Sequence, residues 1–269
     1  MRALLNGGNI FFAETGPSTG SPVIFLHGFP FSHAMWQSQT AVVAAAGYRA
    51  IAYDIRGHGQ SDVGDGQYTI EGHVDDLIAL MDRLKIPTAV IVGLSMGGYI
   101  ALRALERHPD RFRAAALCDT RSESDPNEGR IKRAKGLAAV KKTGSAAFAD
   151  DFVKAVFAEE TLKNNPSTVA AIHDVIAHTP PLSIAGTLLA LAARTDTTAS
   201  LSSIAIPTLI LVGERDMTTP PDASRSMREK IRGSELHIIP GAAHMSNLEN
   251  PALFNEKLLA FLRRAVPPR

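Results

Sequence analysis

A serine flanked by glycines, set between a buried strand and a helix, constrains this chain more than any other feature. Segment 93–98, Gly-Leu-Ser-Met-Gly-Gly, follows the apolar segment 89–92 and precedes a helical pattern over 99–107. A strand that turns directly into a helix leaves little room for side chains, so glycine is needed on both sides of the serine. The turn exposes a hydroxyl at the carboxyl end of a sheet, beside a helix N-terminus. We therefore predict that Ser95 is a nucleophile.

Two further strand ends supply the polar groups that a serine nucleophile requires. A serine hydroxyl is weakly nucleophilic near neutral pH and needs a general base, which in turn needs an orienting carboxylate. The apolar segment 207–213 is followed by Asp216, and segment 235–240 is followed by His244. Open α/β sheets bind their ligands just beyond the carboxyl ends of the strands. We predict Ser95 as nucleophile, His244 as general base and then acid, and Asp216 as the orienting carboxylate.

Two other acids compete with Asp216 for this role. Glu214 lies one residue out of phase on the same turn, and Asp119 ends another strand-like segment and could reach the same pocket. Of the nine histidines, only His244 satisfies both the chain order serine, acid, histidine and the strand-end position. His27 opens the loop after an earlier strand, and we expect it to brace that loop by hydrogen bonds.

N–H donors are also needed, because attack on an ester carbonyl places negative charge on its oxygen. The backbone N–H of Met96, the residue after the nucleophile, is the first predicted donor. The second is expected from the loop after the strand-like segment 23–26, which runs His-Gly-Phe-Pro from His27 to Pro30. Because Pro30 has no N–H, we predict that Phe29 is the second donor.

Alternating strand and helix patterns predict the fold class. Repeated β–α units imply an α/β protein with a mostly parallel central sheet and helices on both faces. The predicted strands are 9–15, 23–26, 49–53, 89–92, 114–118, 206–212 and 235–239. The predicted helices of this frame are 35–46, 69–84, 99–107 and 251–264. We assign residues 1–121 and 195–269 to this α/β core.

The middle of the chain has helical patterns only. They cover 128–142, 145–157, 166–177 and 182–193. We predict that 122–194 is a helical cap lying over the site, restricting it to small or medium acyl and alcohol groups. The apolar cap residues Phe152 and Val156 are candidate substrate-binding residues, although most such residues are expected to pack the cap on the core.

Two residues near the predicted pocket have competing interpretations. Trp36, the only tryptophan, follows the His-Gly-Phe-Pro loop and is a candidate for substrate contact, with core packing as the favoured alternative. Arg121 stands at the entrance to the cap. It could anchor an anionic substrate, but we favour a pair with a surface carboxylate.

Length and composition restrict the class of protein. A chain of 269 residues with 45% hydrophobic and 20% charged residues suits one globular domain with or without an insertion. The net charge of +1 favours neither nucleic acid nor an anionic membrane. No signal-peptide core, membrane-spanning run, zinc-type spacing or phosphate-binding glycine motif is present, and the lone Cys118 cannot form an intramolecular disulfide. We predict a cytoplasmic protein with no cofactor, metal, nucleic-acid or membrane partner, and leave homo-oligomerisation open.

These motifs resemble those of the α/β-hydrolases, in particular their serine esterase and lactonase branch. The matching segments are the His-Gly-Phe-Pro loop, the Asp-x-Arg-Gly-x-Gly-x-Ser turn over 54–61, the Gly-Leu-Ser-Met-Gly-Gly turn, Asp216, and Gly-Ala-Ala-His over 241–244. They span the chain from first strand to last helix, with a gap in the middle, and are specific for the fold and serine mechanism but not for substrate. Haloalkane dehalogenases and epoxide hydrolases share much of this frame but use an aspartate nucleophile, which Ser95 argues against.

The resemblance implies a serine carboxylesterase that hydrolyses small, short-chain esters through an acyl-enzyme. The nearest alternative is an enol-lactonase similar to the 3-oxoadipate enol-lactonases, whose substrates carry a carboxylate that Arg121 or Arg194 could bind. Carbon–carbon bond hydrolases use the same triad, and the Pro30 loop also resembles that of esterases with perhydrolase side activity. A non-catalytic binding protein is the remotest alternative, because all three predicted triad residues are present.

Overall fold

A single eight-stranded sheet organises the molecule, of which the computed structural model describes residues 1–268. The strands are β1 (Arg2–Leu5), β2 (Gly8–Thr15), β3 (Pro22–Leu26), β4 (Arg49–Tyr53), β5 (Ala89–Leu94), β6 (Phe112–Cys118), β7 (Thr208–Gly213) and β8 (Glu235–Ile239). Their order across the sheet is β1-β2-β4-β3-β5-β6-β7-β8. Strand β2 is antiparallel to β1 and β4, and all other neighbouring pairs are parallel.

The central strands are almost continuously apolar because both faces of a parallel sheet are covered by helices. Every residue of β5 and β7 is buried, whereas the edge strand β8 is mostly half-exposed. The covering helices are α1 (Gln37–Ala45), α2 (Ile70–Arg83), α3 (Met96–Arg107), α8 (Pro221–Lys230), α9 (Ser246–Glu249) and α10 (Pro251–Ala265). Helix α1 packs against α10, and α2 packs against α3. The predicted α/β class with a mostly parallel sheet is therefore confirmed.

A helical insertion separates β6 from β7. Its helices are α4 (Asn127–Val156), α5 (Glu159–Asn164), α6 (Pro166–His178) and α7 (Pro181–Ala192). Helix α4 is broken at Gly144, whose φ of 80° lies in the left-handed region. Glycine adopts this conformation without steric cost, and the break falls between the predicted helices 128–142 and 145–157.

Four elements were not predicted from the sequence patterns: strand β1 and helices α5, α8 and α9. Helix α8 is polar, and only Ser224 and Met227 are buried in it, so its apolar periodicity is too weak to detect. Helix α5 has six residues and buries none of them.

No single helix within residues 1–268 is both long and apolar enough to cross a membrane. Helices α6 and α7 meet the length and composition criteria only when taken together, and the chain bends by 95° between them.

Candidate active site

Ser95 occupies a sharp turn between β5 and α3. Its φ of 53° and ψ of −114° place the backbone in a sparsely populated region, which surrounding structure must enforce. A Cβ on Gly93 would lie 2.3 Å from the carbonyl oxygen of Gly97, and one on Gly97 would lie 2.2 Å from that of Leu26. The flanking glycines are thus required because α3 approaches the ends of β5 and β3 closely.

Gly97→Ala is expected to destabilise the protein by about 1–3 kcal/mol, the typical cost of overpacking. The clashing oxygens belong to backbone, which cannot rotate away from the new methyl group. Gly136→Ala is the matched control, because its Cβ would meet nothing closer than 3.4 Å. It lies in α4, where alanine is favoured over glycine by roughly 0.5–1 kcal/mol. Urea unfolding measures both, and equal midpoints would contradict this account.

The side chains of His244 and Asp216 form a buried pair beyond the ends of β8 and β7. The Nδ1 atom of His244 lies 2.8 Å from Oδ2 of Asp216, and the two residues are 2% and 1% exposed. Asp216 Oδ1 accepts hydrogen bonds from the N–H groups of Thr218 and Thr219, and Oδ2 accepts one from the Thr219 hydroxyl. Burial alone would raise the pKa of Asp216, but His244 and these donors outweigh it and lower the pKa. The carboxylate is therefore held ionised beside the imidazole.

Thr219 is a site residue that the sequence reasoning missed. Its hydroxyl lies 2.7 Å from Oδ2 of Asp216 and 3.3 Å from Nδ1 of His244, so it contacts both members of the pair. An aspartate followed within three residues by threonine is typical of turns in which the carboxylate accepts nearby N–H groups. That local signal could have identified it.

The two competing acids have other partners. Asp119, fully buried, accepts hydrogen bonds from the Gly213 N–H at 2.8 Å and from the Ser246 hydroxyl. Burial, together with the negative charge of Asp216, raises the pKa of Asp119 well above its ordinary value. Glu214 accepts a hydrogen bond from a backbone N–H of the loop that precedes the histidine. Neither acid bonds to the His244 ring, so the geometry favours Asp216 as its partner.

Strand order brings the predicted nucleophile to the same sheet edge as this pair. Ser95 follows β5, and β5 to β8 are consecutive and parallel. Both hydrogen bonds of the His244 ring are on Nδ1. Across residues 1–268, neither Nε2 of His244 nor the Ser95 hydroxyl has a hydrogen-bond partner, and no bond joins the two. Such bonds are often long in unliganded active sites and shorten when substrate binds.

The loop over residues 27–30 is held by His27. The Ile55 N–H donates to Nε2 of His27 at 3.0 Å, so the ring proton lies on Nδ1 and donates to the Gly28 carbonyl at 2.8 Å. Burial lowers the pKa of His27 to about 4, which keeps the ring neutral. The backbone N–H groups of Phe29 and Met96 donate to no other residue within 1–268. Both are therefore available to an incoming oxygen.

An aromatic cluster covers this loop. The ring of Phe152, from the second half of α4, lies 5.8 Å from that of Phe29 and 6.0 Å from that of Phe31, between centroids. Phe148, one turn earlier, stacks on Phe152 at 5.3 Å. Val156 ends the helix, and its carbonyl accepts a hydrogen bond from the His244 N–H at 3.0 Å. The insertion thus contacts both the His-Gly-Phe-Pro loop and the histidine.

The structure does not support a substrate contact for Trp36. Its ring is fully buried, 5.3 Å from Phe25 of β3 and 6.2 Å from Phe254 of α10, between centroids. Core packing therefore accounts for it.

The two candidate arginines differ in their remaining hydrogen-bonding capacity. Arg194 donates to Asp125 at 2.7 Å and stacks on the ring of Tyr99, with its side chain almost fully buried. Arg121 donates only to the Thr218 carbonyl, at 3.4 Å, rather than to the surface carboxylate that we favoured. Nowhere in residues 1–268 do three or more His, Cys, Asp or Glu side chains come together in a way that could hold a metal ion.

Comparison with known proteins places the chain in the family with the alpha/beta hydrolase fold, whose family model matches residues 21–251. The chain is 30% identical over 248 residues to a 3-oxoadipate enol-lactonase from Acinetobacter baylyi, covering 92% of this chain and 91% of the relative. It is 32% identical over 275 residues to a non-heme chloroperoxidase from Kitasatospora aureofaciens, covering 96% and 98%. A malate-bound thermophilic esterase from Thermogutta terrifontis superposes with a TM-score of 0.93 at 32% identity over 98% of both chains. The protein is therefore a hydrolase of this family.

Proposed function

We propose that the protein is a carboxylic ester hydrolase that acts on short-chain esters through Ser95, His244 and Asp216. The observation that carries this proposal is the buried pair of His244 and Asp216, joined at 2.8 Å at the sheet edge where the Ser95 turn also ends. The pair supplies an oriented base, and the strained turn places the Ser95 hydroxyl at the same end of the sheet.

In the first half of the reaction, Ser95 Oγ attacks the ester carbonyl carbon and its proton passes to Nε2 of His244. The imidazolium is stabilised by the ionised Asp216 on its other nitrogen. The negative oxygen of the tetrahedral intermediate receives hydrogen bonds from the free N–H groups of Phe29 and Met96. The carbon–oxygen bond to the alcohol then breaks, and the alcohol leaves with the proton from His244. An acyl ester on Ser95 remains.

In the second half, water replaces the alcohol. His244 takes a proton from the water, whose oxygen attacks the acyl carbon, and the same two N–H groups stabilise the new oxyanion. The bond to Ser95 Oγ breaks, and His244 returns the proton to the serine. A carboxylic acid is released.

A preference for short acyl chains is proposed from the position of the insertion. Phe148 and Phe152 pack on the ring of Phe29, whose N–H is the proposed oxyanion donor. In this role the predicted cap, residues 122–194, closes the pocket on that side and excludes water from the acyl group.

A lactonase is the second candidate, favoured by Arg121. Its guanidinium has no carboxylate partner within residues 1–268, and one relative is a 3-oxoadipate enol-lactonase. On this alternative Arg121 binds a carboxylate of the substrate. The chloroperoxidase relative also makes perhydrolysis, in which peroxide replaces water, worth assaying.

The test compares p-nitrophenyl acetate, butyrate and octanoate with a small enol-lactone that carries a carboxylate. We expect kcat/KM to be highest for acetate or butyrate, and a fluorophosphonate to label Ser95 as located by peptide mass spectrometry. Labelling at another residue would contradict the mechanism. A kcat/KM for the lactone more than about tenfold above that for the esters, a difference of about 1.4 kcal/mol, would support the second candidate if Arg121→Gln also raised the KM for the lactone.

A further inference from the structure

The carboxylate of Glu249 joins the insertion to the loop that carries His244. Its Oε1 atom accepts hydrogen bonds from the Ala158 N–H at 2.7 Å and the Thr161 hydroxyl at 2.8 Å, both in the insertion. Its Oε2 atom accepts one from the Ala243 N–H at 2.7 Å. Ala243 is the residue before His244, so the half-buried side chain of Glu249 bonds both to the insertion and to the loop that carries His244.

Neighbouring hydrogen bonds also join the insertion to the loops that carry His244 and Asp216. The N–H of His244 itself donates to the carbonyl of Val156, where α4 ends. Glu160, in α5, pairs with Arg215 on the turn that holds Asp216. Segment 156–161 therefore bonds to the loops of both the base and the acid.

We propose that Glu249 is a positioning residue, which holds the backbone of His244 in place by fastening it to segment 156–161 of the insertion. This inference rests on the proposed function of His244 as the base. Hydrogen bonds to an ionised acceptor are roughly twice as strong as neutral ones, and a base must be held to within about 0.5 Å of its productive position. Three such bonds from one carboxylate can meet that requirement.

The same arrangement makes the base dependent on the docked insertion. Residues 145–156 carry Phe148 and Phe152 onto the proposed oxyanion loop, and the chain then continues directly into segment 156–161. If the insertion moves to admit substrate, the hydrogen bonds of Glu249 keep segment 156–161 attached to the loop that carries His244.

Glu249→Gln tests this link between segment 156–161 and the His244 loop at nearly constant side-chain size. Glutamine has one acceptor oxygen, which can serve the insertion or Ala243 but not both, and its NH2 group would face the N–H groups on the other side. Glu249→Asp, a second variant for the case in which the first fails to fold, keeps the charge but is one methylene too short to reach both sides. Glu235→Gln is the matched control, because Glu235 pairs with Arg264 on the protein surface.

Two readouts are needed: steady-state hydrolysis of p-nitrophenyl butyrate, and hydrogen exchange of peptides that cover 156–161 and 242–246. For Glu249→Gln we expect kcat to fall at least tenfold with KM within threefold, and exchange to accelerate in one or both peptides. Glu249→Asp should behave in the same way, and Glu235→Gln should match the wild type in both readouts.

Unchanged hydrogen exchange in both peptides would contradict the proposal that Glu249 links segment 156–161 to the His244 loop. Accelerated exchange with an unchanged kcat would overturn the positioning role and leave Glu249 a structural residue. If the wild type hydrolyses no ester, the proposed function fails, while the exchange measurement still decides whether Glu249 fastens the insertion to the histidine loop.

Discussion

Replacing Ser95 with alanine is expected to lower kcat/KM for p-nitrophenyl butyrate by about five to six orders of magnitude, as removal of the nucleophile does in other serine hydrolases. The reason is that no acyl-enzyme forms without Oγ, so only the oxyanion donors and substrate binding remain. The measurement is a steady-state assay at enzyme concentrations high enough to detect the residual rate.

The stability of Ser95→Ala should stay close to that of the wild type. The hydroxyl has no hydrogen-bond partner within residues 1–268, so its removal leaves no group unsatisfied, and the strained backbone is unchanged. Ser203→Ala, at an exposed position in a short 3-10 turn, controls for the substitution itself. Activity above about a tenth of the wild-type value in Ser95→Ala would refute the assignment, because loss of a true nucleophile costs far more.

Acidification below pH 6.5 is expected to destabilise the protein steeply because three buried histidines are neutral in the folded state. Burial lowers the pKa values of His27, His58 and His73 to about 4, 3 and 4, from an ordinary 6.5. As the pH falls below 6.5, the unfolded chain binds protons that the folded chain does not. The stability that these residues contribute is complete above pH 6.5 and is lost progressively until the pH reaches 3 to 4.

The expected size is large relative to a typical stability of about 5–15 kcal/mol. Each histidine contributes up to about 1.4 kcal/mol per pH unit once the unfolded chain is fully protonated, so the three together cost roughly 5 kcal/mol between pH 6.5 and pH 5. Asp119 opposes them, because its raised pKa lets the folded chain take up a proton first. Urea unfolding at pH 7.5, 6 and 5 measures the net slope.

His73→Leu isolates one of these titrating groups. Its Nε2 atom is buried without a hydrogen-bond partner within residues 1–268. Leucine therefore removes the titrating group without leaving another buried polar group unsatisfied. We expect the slope of stability against pH to fall by about 1.4 kcal/mol per unit between pH 6.5 and 4. His178→Gln, at an exposed position, is the control for replacing a histidine. A slope identical in the wild type and His73→Leu would show that folding does not lower the pKa of His73.

Local periodicity was sufficient for most of the fold. The parallel strands are nearly unbroken apolar runs, and α2 and α3 repeat buried residues at three- and four-residue spacing, so their patterns do not depend on the rest of the chain. The short strand β1 and the polar helix α8 were missed because each is stabilised by packing that its own sequence shows weakly. The intrinsic helix or strand propensity of a segment predicts its structure only weakly when packing against the rest of the protein decides it.

The positions of Ser95, Asp216 and His244 could be predicted because each follows a strand, and parallel strands end at one edge of the sheet. Asp216 was also predicted as the partner of His244, but strand position alone left Asp119 and Glu214 as competitors. Whether His244 pairs with Asp216, Asp119 or Glu214 depends on distances of a few ångströms between loops far apart in sequence. The fully buried position of Trp36 likewise depends on β3 and α10, which sequence spacing does not bring together.

The link from Glu249 to both the insertion and the histidine loop lies wholly in the tertiary structure. Its donors are 91, 88 and 6 residues away in the chain, and no periodicity or motif joins them. A strand or a sharp turn is encoded by a few consecutive residues, because backbone sterics and side-chain period act locally. A hydrogen bond between separate loops exists only after packing has brought them together, and it is therefore decided by the fold as a whole.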